Sequence, residues 1–130
     1  MEKSLPVTSA LQDYLEVILS LSEENETVRV TDIANSLNIA KASVSQALSS
    51  LKKQELIVQS RYGPVELTEI GLEFARQIRR RHQVIRFFLI EVLQVSPEVA
   101  ERDACLLEHE LSQQTFACLL DFLEERNLTP

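Results

Sequence analysis

The chain has 130 residues, of which 45% are hydrophobic, enough to bury one core or two small ones in a globular protein. No apolar stretch approaches the roughly 20 residues of a membrane span, and the N-terminus, Met1-Glu-Lys-Ser-Leu-Pro6, lacks a signal-peptide core, so a cytoplasmic protein without a membrane partner is expected. The net charge of −7 argues against a nucleic-acid partner until its distribution is read: residues 33–54 hold three lysines and no acid, whereas residues 98–126 hold eight acids against two arginines.

Ser9-x-x-Gln12 has capping-box spacing, and Leu11, Tyr14, Leu15 and Ile18 follow at i, i+3, i+4 and i+7, which predicts a first helix. Its apolar stripe leaves Asp13 and Glu16 pointing together away from the local core, a pair equally consistent with plain surface. The acidic segment 22–26 ends that helix, and Val28-Arg-Val30 is long enough only for a marginal strand. Thr31 is expected to cap a short second helix packed through Ile33, Ala34 and Leu37, with Asp32 favourable in its first turn. Asn38-Ile39-Ala40 reads as a tight turn, and residues 41–53 as a third helix with Val44, Leu48 and Leu51 inward.

Helix, turn, helix is the pattern of a DNA-reading unit. The outward positions of the third helix, Lys41, Ala42, Ser43, Ser45, Gln46 and Ser49, are small or hydrogen-bonding and carry no negative charge, as a helix entering the major groove requires. Residues 56–58 and 65–67 read as two strands joined through Arg61-Tyr-Gly63-Pro64, a hairpin wing. Ser43 and Gln46 are expected to read bases, and Lys41, Lys52, Arg61 and Tyr62 to meet the backbone or minor groove.

Thr68 is expected to cap a long helix running to about Leu93, and Ser96-Pro97-Glu98 has the serine cap and first-turn proline of a fifth helix; Ser112 caps a sixth, ending near Asn127. Five arginines between Arg76 and Arg86 form a basic stripe that equally suits a solvated face. On the fifth helix, at roughly 100° per residue, Cys105, Glu108 and His109 project from one side with Glu101, so a thiol, a carboxylate and an imidazole converge as a metal-ligand set would. Ala100, Ala104, Leu107 and Leu111 occupy another stripe, and with Phe116, Leu119, Leu120 and Leu123 they predict a two-fold dimer through the fifth and sixth helices. Cys105 and Cys118 form no Cys-x-x-Cys pair and a reducing cytosol disfavours a disulfide between them; Cys118, between Ala117 and Leu119, is expected as a buried small hydrophobe.

The pieces Asp13-Tyr-Leu-Glu16, Val30-Thr-Asp-Ile-Ala34, Ser43-Val-Ser-Gln46, Leu67-Thr-Glu-Ile-Gly71, Arg81-His82 and Ala104-Cys-Leu-Leu-Glu-His109 fall in one order and spacing. In these the chain resembles the metalloregulators of the diphtheria toxin repressor and manganese transport regulator family over nearly its whole length. The resemblance implies a mainly α chain with an N-terminal winged helix-turn-helix domain, residues 1–73, and an all-helical metal-binding and dimerisation domain, residues 74–130, without a third, SH3-like domain. It implies metal ligands at Asp13, Glu16, His82, Cys105, Glu108 and His109. Two departures stand out: the manganese branch usually has glutamate where Cys105 stands, and the iron branch has methionine where Asp13 stands. The iron branch's ancillary site also has a carboxylate where this chain has Arg86 and a histidine where it has Glu101.

The resemblance further implies a homodimeric repressor that binds double-stranded operator DNA when loaded with Mn(II) or Fe(II), to control metal-homeostasis genes, with no small organic substrate. Thiolate is softer than carboxylate, so Co(II) or Zn(II) is expected to compete at such a site. An enzyme is the contrary reading, since a metallohydrolase also needs mixed oxygen and nitrogen ligands. The acid-free third helix and its wing are of no use to a hydrolase, and the chain has no nucleophile motif or phosphate loop. A metal-independent winged-helix regulator, with Glu108 and His109 as plain surface, is the remaining alternative.

Overall fold

A computed structural model of the chain describes residues 8–61 and 63–130; the wing residue Tyr62 lies outside them. Among the described residues, six α-helices and one hairpin form two compact units, the first ending at Arg76 and the second beginning at Gln77.

The first unit opens with α1 (Ser9–Glu24), α2 (Val30–Leu37) and α3 (Lys41–Lys53). The cap of α1 is Thr8, one residue before the expected serine: its hydroxyl accepts from the Leu11 N–H at 3.3 Å. The expected marginal strand at residues 28–30 is absent. Val30 already belongs to α2, and Val28 stays buried with its carbonyl accepting from the Val65 N–H at 2.7 Å. Thr31 is likewise inside α2 and not its cap, because Asp32 reaches back to accept from the Arg29 N–H at 2.9 Å and so makes Arg29 the cap, two residues earlier.

Asn38 then takes the left-handed conformation (φ 56°, ψ 49°), and the Ile39 N–H returns to the Ala34 carbonyl at 3.1 Å, which ends α2 and turns the chain into α3. Asparagine tolerates that conformation better than most side chains. The inward stripe of α3 is as spaced in the sequence: Val44, Leu48 and Leu51 are fully buried with Leu15, Ile18 and Ile33 of the neighbouring helices. Each such side chain contributes about 1.5–3 kcal/mol by leaving water, so truncation of Leu48 alone removes a large part of a typical domain's stability.

Strands β1 (Ile57–Gln59) and β2 (Val65–Leu67) pair antiparallel with Ile57 opposite Leu67 and Gln59 opposite Val65. Thr68 ties the hairpin to the next helix, α4 (Glu69–Phe87). Its hydroxyl donates to the Glu55 carbonyl at 2.7 Å and caps α4 by accepting from the Gly71 N–H at 3.0 Å.

In the second unit α4 ends earlier than expected: a single π-helical turn, Phe88–Val92, replaces its last α turn. After it come α5 (Pro97–Glu110) and α6 (Gln113–Glu125), the latter capped by Ser112, whose hydroxyl accepts from the Thr115 N–H at 3.0 Å. The core is Val84, Ile85, Leu89, Ala100, Ala104, Phe116 and Leu123. Phe88 and Phe122 meet edge to face at 5.8 Å between ring centres. Arg81 fixes the α5–α6 corner by donating to the Leu111 carbonyl, with its guanidinium 5.2 Å from the centre of the Phe116 ring.

Two expectations about the surface change here. Ala100 and Ala104 are wholly buried inside one chain, so that part of the stripe packs the protomer and is not on offer to a second copy. Cys118 is exposed and not a core residue, because Phe116, Leu119, Leu120 and Leu123 turn the apolar side of α6 elsewhere. The large apolar side chains left exposed in this unit are Leu93 and Leu106, at 54% and 64%.

Candidate metal centre and nucleic-acid face

Metal-ligand chemistry gathers where α4 and α5 run side by side. His82 comes from the C-terminal half of α4, and Cys105 and Glu108 lie three apart on α5, so both face the same neighbour. One ligand atom from each of His82, Cys105 and Glu108 lies within 4.8 Å of the others. His82 Nδ1 is 2.9 Å from Glu108 Oε1, and its Nε2 is 3.0 Å from Glu101 Oε2. Glu101 in turn accepts from Arg86 Nε at 2.9 Å, and the Cys105 thiol is 3.7 Å from it. His82, Arg86 and Glu101 line a cleft of about 540 Å³ together with Phe87 and Ile90.

The burial of Glu108 is the decisive feature. Its carboxylate is 2% exposed, and Oε2 has no hydrogen-bond partner among the described residues. Leaving a buried anionic oxygen unsatisfied costs on the order of 1–3 kcal/mol or more, so a native helix keeps one only where something else binds it. A divalent cation answers that requirement, and the thiol, imidazole and carboxylate are the donors a transition metal takes. These residues fit a metal.

Without one, protons do the balancing. The hydrogen bond to Glu108 is the main cause that raises His82, to a pKa of about 9; burial opposes it, and Glu101 adds to the rise. Burial pushes Glu101 up, but its bonds with His82 and Cys105 and the Arg86 charge together hold it below the usual carboxylate range.

Of the six ligand positions expected from sequence, the structure brings together His82, Cys105 and Glu108. His109 follows on α5, half-buried, and is not part of that group among the described residues. Asp13 is exposed and Glu16 half-buried on α1 of the first unit. Helical spacing put Glu101 on the Cys105 stripe without a partner, and Arg86 stood out in a basic run and, with Glu101, as a departure from the iron branch's ancillary site. The signal that links them is the same spacing: Arg86 follows His82 by four residues and Cys105 follows Glu101 by four, so each pair shares a face.

On the first unit Lys41, Ala42, Ser43, Ser45, Gln46 and Lys52 are all exposed on α3, opposite the buried Val44, Leu48 and Leu51. Arg61 is exposed at the hairpin turn, where the Gly63 N–H bonds to the Ser60 carbonyl at 2.8 Å. The α3 face carries hydrogen-bonding groups and positive charge without an acid.

Known proteins resemble this chain in sequence and fold. Residues 7–65 match the N-terminal DNA-binding domain of iron-dependent repressors, and residues 68–130 match their metal-binding and dimerisation domain. The chain is 36% identical over 115 residues to the transcriptional regulator MntR of Salmonella typhimurium (strain LT2), covering 88% of this chain and 73% of that one. It is 32% identical over 120 residues to an HTH-type transcriptional regulator of Methanocaldococcus jannaschii, covering 92% and 96%. Among solved structures, the manganese regulator SloR superposes with a TM-score of 0.77 at 28% identity, and a manganese-dependent transcriptional repressor complexed with manganese with 0.78 at 28%. Those alignments cover 88% of this chain, which spans about half the length of the solved chains, 53% and 52%.

Proposed function

The chain belongs to the iron-dependent repressor family of metal-dependent transcriptional regulators, which are not enzymes, and from that premise we propose that it is a homodimeric repressor that binds operator DNA when loaded with Mn(II) or Fe(II). The observation that carries this reading is the buried, half-satisfied Glu108 carboxylate beside His82 and Cys105. A metal-independent regulator accounts for the bond from Oε1 to His82 but leaves Oε2 without a partner among the described residues.

His82, Cys105 and Glu108 hold the metal, and Asp13, Glu16 and His109 belong to the same proposal as further ligands. When bound, the cation neutralises the carboxylates and cross-links the residues that ligate it. The thiolate makes the donor set softer than oxygen and nitrogen alone, so Fe(II), Co(II) and Zn(II) compete with Mn(II) better than at a site without sulfur. DNA is met by α3, with Ser43, Ser45, Gln46 and Ala42 toward base edges and Lys41, Lys52, Arg61 and Tyr62 toward phosphates or the minor groove. Paired recognition helices in a two-fold dimer imply a near-palindromic operator with half-sites roughly 34 Å or a multiple apart. No helix among the described residues is long and apolar enough to cross a membrane, which suits a protein that works on DNA in the cytoplasm.

The test is operator selection from random DNA by chelator-treated protein, with and without added Mn(II) or Fe(II). Metal should raise affinity for the selected sequence by about 5–150-fold, the usual range for one coupled site. Equal affinity with and without metal removes the co-repressor reading.

A further inference from the structure

We propose that Glu101 and Arg86 are positioning residues for the metal: Glu101 takes the Nε2–H of His82 and so turns the Nδ1 lone pair toward Glu108, while Arg86 holds Glu101 in place. The inference rests on the metal-binding reading above and extends it to two residues that would not themselves touch the ion.

A neutral imidazole has one N–H and one lone pair, so whichever nitrogen keeps the proton decides which can ligate. The Nδ1 side of His82 faces the buried Glu108 at 2.9 Å, and the Nε2 side faces Glu101 at 3.0 Å. On the Glu108 side, Oε2 is buried without a hydrogen-bond partner among the described residues. The Glu101 carboxylate is already engaged, with Arg86 Nε at 2.9 Å. A guanidinium stays charged at every working pH and cannot be displaced by deprotonation, so it keeps Glu101 committed as an acceptor and makes it a poor competitor for a cation. Glu101 is also half-exposed to the cleft, where a ligand gains less than at the buried Glu108. Carboxylates that receive the second N–H of a metal-bound histidine fix its tautomer and ring angle, and their loss typically weakens metal binding about 10–100-fold.

The geometry also orders the variants. Gln keeps an acceptor oxygen for Nε2–H and loses the charge, whereas Leu loses both. Lys keeps a positive charge near Glu101 without the planar fork, whereas Met loses it.

The experiment uses the full chain loaded with Zn(II), with affinity measured by competition against a chromophoric chelator. In the same sample a long-range 1H–15N spectrum should show His82 with Nε2–H retained and Nδ1 metal-bound. Glu101→Leu should weaken Zn(II) about 10–100-fold with far-UV circular dichroism unchanged, and Glu101→Gln should recover most of that loss. Arg86→Met should weaken binding less than Glu101→Leu, and Arg86→Lys should restore part of it. With Co(II) as probe, the near-ultraviolet thiolate charge-transfer band should persist in all four variants, because Cys105 stays bound. Nε2 found ligated, or equal losses in Glu101→Leu and Glu101→Gln, overturns the relay and makes Glu101 a ligand. Zn(II) uptake indifferent to Glu101 overturns the relay alone, whereas no uptake by the parent chain overturns it together with the metal-binding reading.

Discussion

His82 on α4 and Glu108 on α5 stand 2.9 Å apart through Nδ1 and Oε1, with the histidine side chain 15% and the carboxylate 2% exposed. Two titratable groups that share one bond from opposite helices make the site sensitive to protons as well as metal. In the metal-free chain the raised His82 pKa of about 9, against an ordinary 6.5, means the folded state holds this proton more tightly than the unfolded state. That stabilisation is fully present below pH 6.5 and is lost as pH rises through about 9. Urea midpoints of chelator-treated protein should therefore fall between about pH 6.5 and 9.5, by the equivalent of about 2–3 kcal/mol, and His82→Asn should flatten the curve. Metal must displace the same proton, which by itself makes affinity rise with pH over that window by up to about tenfold per unit, and the proton lost from a ligating Cys105 thiol steepens the rise.

Glu108→Gln keeps the shape of the site and removes its buried charge. Zn(II) or Mn(II) affinity should drop by about 100-fold or more, because one ligand is lost and the amide cannot replace it. The rise in Tm that saturating metal gives the parent chain should shrink in proportion, by mass action. An undiminished thermal shift in this variant would show that the metal binds elsewhere.

Cys105→Glu replaces the soft ligand with a hard one on a longer side chain. Mn(II) should gain on Fe(II), Co(II) and Zn(II) when DNA binding is compared at matched free metal. An unchanged ranking of Mn(II) against Fe(II) would mean that the thiol, exposed on α5, is not a ligand.

Gln46 and Lys52 are both exposed on α3 but carry different chemistry. Gln46→Ala should relax preference at particular base pairs at a cost of about 1–3 kcal/mol, whereas Lys52→Ala should weaken all sequences alike and reduce the salt slope by about one. Identical behaviour of the two variants on specific and random DNA would move the recognition surface away from α3.

A methyl group at Gly71 would stand 1.9 Å from the Leu56 carbonyl oxygen, a clash with backbone that no rotamer relieves. Gly71→Ala should cost about 1–3 kcal/mol or more and push the first turn of α4 away from the hairpin. The check is a lowered Tm for the variant; parent-like stability would mean the hairpin and α4 separate freely.

The sequence alone determined the helical class, the helix-turn-helix and hairpin, the inward stripe of α3 and the family. Those features are local: helix and strand periods, caps and turn residues act over a few positions, and Val44, Leu48 and Leu51 recur at a spacing that only a helix turns to one side. Local signals also slipped by one or two residues where candidates compete, as when Thr8 replaced Ser9 as cap of α1 and Arg29 replaced Thr31 as cap of α2. The tertiary structure decided what depends on neighbours from another element. Whether Glu108 is surface or buried, whether Ala100 and Ala104 serve the core or a partner, and whether Cys118 is inside turns on how α4, α5 and α6 pack, and helical spacing gives the face but not what lies against it. The bonds from Arg86 to Glu101 to His82 span α4 and α5, 15 and 19 residues apart in sequence, so neither helix alone could disclose them.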